Sequence, residues 1–176
     1  MTEPVFNPFE DRLSRNIRND LSAGLAIAVE TGNGDALAET MAKYRQQPLS
    51  RCYLTYLEDR SSRYETALKA INAGIIDPIQ RSVILWNLGL FFEVHEVLEH
   101  AWHTAEGNMK QTLQALIRSA GVYIKREYGF HDSARRIAAK AIPVLEENRA
   151  ILEDYFKPEK LISALAAPDM SPPKLL

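Results

Sequence analysis

The sequence predicts an all-α protein, an antiparallel helical bundle, on three observations. Apolar residues recur at three- and four-residue spacing along most of the chain. Convincing polar–apolar alternation is absent, and only 8 of 176 residues are glycine. Cap-plus-proline start signals and glycine stops divide the chain into helix-sized pieces.

Each element follows from such signals. Asn7-Pro8-Phe9-Glu10 reads as a helix start, with Asn as cap, Pro at the first helical position and Glu three residues on. That helix runs to about Glu30, and Thr31-Gly32-Asn33-Gly34 breaks it. A short helix spans about Asp35 to Gln46, ahead of Pro48. A third covers about Leu49 to Ala73, and Gly74 ends it. Asp77-Pro78 opens a fourth to about Asn87, where Gly89 intervenes. A fifth runs to about Ala105, followed by a loop at Glu106-Gly107-Asn108. The next spans about Met109 to Tyr128 and stops at Gly129. Asp132 caps a last long helix to about Phe156, which Pro143 should bend or split. Pro158, Pro168, Pro172 and Pro173 mark the C-terminal stretch, read as a short helix near Leu161–Ala166 and a loose tail. The implied organisation is an N-terminal helical extension packed on the core (1–76), a helical core (77–157) and a Pro-containing tail (158–176).

Composition excludes several classes. Hydrophobic residues make up 46% and charged residues 25%, enough for a real core. A net charge of −2 gives no basic excess for nucleic acid or an anionic membrane. No apolar run approaches the ~20 residues a membrane span needs. The lone Cys52 allows neither an internal disulfide nor a cysteine-rich zinc site, and reads as a small buried hydrophobe. The start, MTEPVFNPFEDR, shows no signal-peptide pattern, so a cytoplasmic location is expected.

A weak repeat runs at an offset of 40. Gly89 to Val94 aligns with Gly129 to Ala134, and Ala101 with Ala141. Each copy has a helix, a glycine turn and a helix, with a tetratricopeptide-like spacing. Two copies are too few for a solenoid, so reuse of one helix-pair grammar is the plainer explanation.

The chemistry concentrates on Phe91 to Trp102, FFEVHEVLEHAW. At 100° per residue, Phe91, Val94, Val97, Leu98 and Ala101 form an apolar arc. His95, Glu99, Trp102 and Glu106 form the adjacent arc, at the edge of the core, where polar groups must be paired. Glu96, His100 and His103 lie further round, toward water. Three readings compete. His95, Glu99 and Trp102 form a buried polar network. Or His95 and Glu99 ligate a divalent metal ion, with His131, His100 or His103 as further donors. Or a carboxylate with an imidazole partner performs catalysis or binds a small ligand over Trp102. His-Glu without a second His four residues on is not a zincin motif. A phosphate loop, a serine elbow and a di-iron carboxylate repeat are missing too. The balance leans away from an enzyme, toward a scaffold or interaction module.

On the following helix, Gln114, Arg118 and Tyr123 are the polar groups that could meet His95 or Glu99. Arg118 suits bidentate pairing with a carboxylate. Gly121 suggests a close helix contact. The stripe Leu13, Ile17, Leu21, Leu25 and Ala28 on the first helix needs covering, by the bundle or by a second copy in a homodimer.

At these residues the chain resembles the bacterial and archaeal family known as domain of unknown function 309. That family has an Asn-x-Gly turn, a phrase like F-x-E-A-H-E-x-L-E-x-x-W, a helix resembling GLIQ, then an aromatic and a glycine turn. Here stand Asn87-Leu88-Gly89, then Phe92-Glu93-Val94-His95-Glu96-Val97-Leu98-Glu99 and Trp102, then Ala115-Leu116-Ile117-Arg118 and Tyr123. The resemblance covers about Ile79 to Leu145. It implies a compact helical bundle and no established activity. Ala115 replaces Gly and Arg118 replaces Gln, which changes the polar partner expected to face His95.

Overall fold

In the computed structural model, which describes residues 4–72, 74–167 and 171–176, every regular element among those residues is a helix. Two compact units divide after Gly74 and are described separately.

The first unit holds α1 (Arg12–Thr31), α2 (Asp35–Arg45) and α3 (Arg51–Ile71). Its start differs from the sequence expectation. The Asn7 side chain accepts the Phe9 N–H at 3.0 Å, but the turn it caps closes at once. The cap of α1 is Asp11, which accepts from Leu13 N–H at 3.2 Å and Ser14 N–H at 2.8 Å. Ile17, Leu21, Leu25 and Ala28 of the α1 stripe are buried within the chain itself. The stripe therefore gives no support to a homodimer. Gly24 explains part of this packing, since a Cβ there would lie 3.2 Å from the Leu37 backbone of α2. The close helix contact expected at Gly121 belongs here instead, because a Cβ on Gly121 would meet nothing within 4 Å.

The second unit holds α4 (Pro78–Asn87), α5 (Phe91–Thr104), α6 (Gly107–Glu127), α7 (His131–Glu147), α8 (Arg149–Leu152) and α9 (Pro158–Ala166). α4 packs on α5, α5 on α6, α6 on α7, and α7 on α9. Asp77 caps α4 through Ile79 and Gln80 N–H, as the Asp-Pro signal predicts. Its second oxygen accepts the Tyr155 hydroxyl at 3.0 Å. Burial and this bond push the Tyr155 hydroxyl up to about 12. α6 starts at Gly107, inside the stretch expected to be a loop. α7 starts at His131 with Phe130 as the flanking residue, so Asp132 lies inside the first turn and pairs with Arg135.

Pro143 neither ends nor splits α7, which continues to Glu147. The break falls at Asn148, whose backbone and side-chain N–H groups both bond the Val144 carbonyl. A side-chain amide taking the carbonyl of the preceding turn competes with the helix ladder and stops it there. α9 starts at Pro158, three residues earlier than expected, because proline fits the first helical position.

Residues 171–176 are not a loose tail. The Trp86 indole N–H donates to the Pro173 carbonyl at 2.8 Å, and the Leu175 N–H donates to Asn87 Oδ1 at 2.8 Å. The Lys174 ammonium bonds the Asn87 carbonyl. Leu175 is only 3% exposed. Pro168 lies outside the described residues. Among the described residues no helix is long and apolar enough to cross a membrane.

Candidate metal centre

The site is built on α5 by the turn before it. Gly89 sits at φ 71°, a left-handed conformation that suits glycine. Its N–H bonds the Trp86 carbonyl at 2.9 Å, and the Leu90 N–H bonds the Leu85 carbonyl at 3.0 Å. This closes the end of α4 in the manner of a glycine-terminated helix. Leu90 is buried and anchors the first turn of α5. Trp86, Phe91 and Tyr123 then pack edge to face and tilted, with ring centroids 5.0–5.4 Å apart. This aromatic wedge fixes the rotation of α5, and with it the direction in which residues 95, 96 and 99 point.

His95, Glu96 and Glu99 converge. One ligand atom from each lies within 4.8 Å of the other two. His95 Nδ1 is 3.4 Å from Glu96 Oε1 and 3.7 Å from Glu99 Oε2. The Nδ1 atom is buried, yet neither carboxylate forms a proper hydrogen bond with it. The Phe92 ring lies parallel to the imidazole, 6.1 Å away with 13° between the planes, and limits its rotation.

The spacing has a direct chemical meaning. Donor atoms about 2.1 Å from one tetrahedral ion stand about 3.4 Å from each other. Two of the separations already fall at or near that value, too long for hydrogen bonds and right for ligands around a shared cation. A cation would also relieve the repulsion between two carboxylates on one helix face. The three side chains are 33%, 31% and 46% exposed, so the cluster opens to solvent. That leaves room for water or another ligand in the remaining coordination positions.

The structure rearranges the site expected from the sequence. Glu96, assigned to the solvent side, is as covered as His95 and joins it. Glu99 is half-exposed, so the three do not form a buried polar network. Trp102 stays outside the cluster. Its ring carries the Lys110 ammonium at 4.7 Å and meets His103 edge-on, while its buried Nε1 finds no hydrogen-bond acceptor. Arg118 is half-buried, and among the described residues no ion pair joins it to His95 or Glu99. Tyr123 belongs to the aromatic wedge rather than to the cluster, and burial raises its hydroxyl above the ordinary tyrosine range. His100, His103 and His131 are exposed, and none joins the three-residue group.

The sequence reading missed Glu93. It stands in the first turn of α5 and is 0% exposed. Its signal was available: at 100° per residue Glu93 lies within 40° of Val97, inside the apolar arc. A carboxylate at such a position must be paired inside the protein.

Residues 79–137, from α4 into α7, match the model of the family described as Domain of unknown function (DUF309). No curated protein and no solved structure matches the chain.

Proposed function

We propose that the second unit is a divalent-cation-binding helical domain, with His95, Glu96 and Glu99 as its protein ligands. The convergence of one imidazole nitrogen and two carboxylate oxygens within 4.8 Å carries this reading. Imidazole with carboxylates suits zinc, manganese or ferrous iron, and geometry rather than raw affinity selects among them. Three protein donors with an open side resemble metal centres that bind a further ligand rather than closed structural sites. Under this reading the protein works in the cytoplasm, where its single thiol stays reduced.

The test is elemental analysis of protein purified without a histidine tag, alongside zinc titration followed by thermal unfolding. Zinc at about 100 times its dissociation constant should add about 2.7 kcal/mol of stability to the native chain. His95→Ala and Glu99→Ala should each remove that gain while keeping the helical circular dichroism signal. Equal sub-stoichiometric metal in native protein and both variants overturns the reading. What would then stand is a scaffold or interaction module without a metal.

A further inference from the structure

We infer that the open side of the metal centre takes an oxyanion, the carboxylate or phosphate group of a small molecule, and that Trp102 and Lys110 are its protein donors. One oxygen meets the cation held by His95, Glu96 and Glu99. Another accepts from the Trp102 indole N–H and the Lys110 ammonium. The inference rests on the metal reading above and names the class of ligand that completes it.

The turn after the cluster offers donors and no acceptor. Trp102 follows Glu99 by three residues and His95 by seven, so the three stand on one face of α5 in successive turns. Side chains on a helix lean toward its N-terminus, which carries the indole back toward the turn of Glu99. The Trp102 Nε1 atom is buried and has no hydrogen-bond partner among the described residues. A buried donor without an acceptor is a standing cost, and a ligand bound next to it removes that cost. The Lys110 ammonium lies 4.7 Å from the centre of the Trp102 ring. Among the described residues it forms no ion pair, neither with Glu99 nor with the exposed Glu106 four residues before it. Two donors without an acceptor thus stand one turn beyond a cation site that is open to solvent.

Charge and reach set the class of ligand. A divalent cation with two carboxylates and a neutral imidazole makes a centre of no net charge. The ammonium of Lys110 beside it then favours an anion. Reach excludes a single atom. One helical turn is about 5.4 Å. A metal bond of about 2.1 Å and a charge-assisted hydrogen bond of about 2.8 Å to the same atom cover that step only in a straight line. An oxyanion covers it at an angle, because its oxygens diverge from one centre. Chloride and a lone water do not. Lys110 sits on a flexible four-carbon stem, so its ammonium can leave the ring face and follow the anion.

The experiment follows the indole N–H signals of the two tryptophans by nuclear magnetic resonance in the full chain, with one equivalent of zinc. Trp86 is the internal reference, since its N–H is already bonded to the Pro173 carbonyl. Acetate and methyl phosphate are titrated separately, with chloride at equal ionic strength as control. The Trp102 indole proton should move downfield saturably while that of Trp86 stays. The tighter of the two probes identifies the group as carboxylate or phosphate. Zinc-free protein should need at least about ten-fold more of that probe, because a charge-assisted bond to the cation is lost. Lys110→Ala should weaken the probe about five-fold, the upper range for one exposed ion pair, and leave zinc affinity unchanged in competition with a chelator. The inference alone is overturned if zinc binds but neither probe moves the Trp102 signal, or if chloride moves it equally. It is also overturned if zinc-free protein or Lys110→Ala responds as the native zinc form does. Failure of the native chain to bind zinc in the chelator competition overturns the metal reading and this inference together.

Discussion

The turn at Leu88–Leu90 and the turn at Tyr128–Phe130 share one backbone. Gly89 and Gly129 take φ 71° and 82°. Their N–H groups bond the third residue back at 2.9 and 3.0 Å, and the next N–H bonds the fifth residue back at 3.0 and 2.9 Å. Leu90 and Phe130, at φ −93° and −83°, then open α5 and α7. The buried apolar positions are shared, as at Val94 and Ala134, but the polar side chains differ. Where α5 carries Glu93, His95, Glu96 and Glu99, α7 carries Ser133, Arg135, Arg136 and Ala139. A helix-turn-helix of this kind therefore does not require a His-Glu-Glu cluster, and the cluster cannot be explained as a by-product of the turn. The backbone is a repeated solution to packing, while the cluster stands on one copy alone.

The sharpest way to break this comparison is at the first aligned pair. Glu93 is fully buried and Ser133 is half-buried. Glu93→Ala should cost about 1–3 kcal/mol, because the groups that pair with the buried carboxyl lose their partner. Ser133→Ala should change stability by less than about 0.5 kcal/mol. Urea denaturation of both variants checks this, with midpoints compared at constant slope. Equal small effects would mean that the first turn of α5 tolerates loss of its carboxylate, and that its burial is incidental.

The second pair tests the shared part. Gly89→Ala and Gly129→Ala should each cost about 1–2 kcal/mol, the penalty for a side chain in the left-handed region. At Gly129 a Cβ would meet no atom within 4 Å, so the loss there is purely conformational. A clearly larger loss at Gly89 would show that packing, as well as backbone, distinguishes the copy bearing the cluster.

The same contrast explains what the sequence made legible. Periodicity and glycine stops located the helices, and the offset of 40 between the two turns was visible because glycine at positive φ is a backbone requirement. The arc of His95 and Glu99 was legible because helical phase is geometry. Partners across helices were not. Arg118 and Tyr123 share a helix that packs on α5, but rotation about the helix axis decides what they touch, and the aromatic wedge sets that rotation. Glu96 was misplaced because a long side chain can fold back along the helix beside His95. Pro143 does not split α7, because one missing N–H near a helix end is tolerated, whereas a side-chain amide at Asn148 competes actively. The tail was misread because four prolines suggest looseness, while Trp86 and Asn87, 87 and 88 residues away in sequence, hold it.

The smallest expected effect separates two ways of starting a helix. α5 and α7 begin without a side-chain cap, whereas α1 begins on Asp11. Asp11 also accepts the Ser14 hydroxyl at 2.6 Å and the Tyr53 hydroxyl at 2.9 Å. The Ser14 hydroxyl first, then backbone N–H groups and Tyr53, hold its carboxyl down at about 2, from an ordinary value of 3.8, against the opposing effect of burial. Asp11→Ala should cost about 1 kcal/mol near neutral pH, the usual worth of such a cap. The sign of the pH dependence follows from the depressed value. The folded protein favours the ionised form, so the contribution is fully present above about 4 and fades as pH falls toward 2. Urea midpoints of native protein and Asp11→Ala should therefore differ at pH 6 and draw together between pH 4 and pH 2. A gap that stays constant down to pH 2 would show that Asp11 acts through packing rather than through its charge.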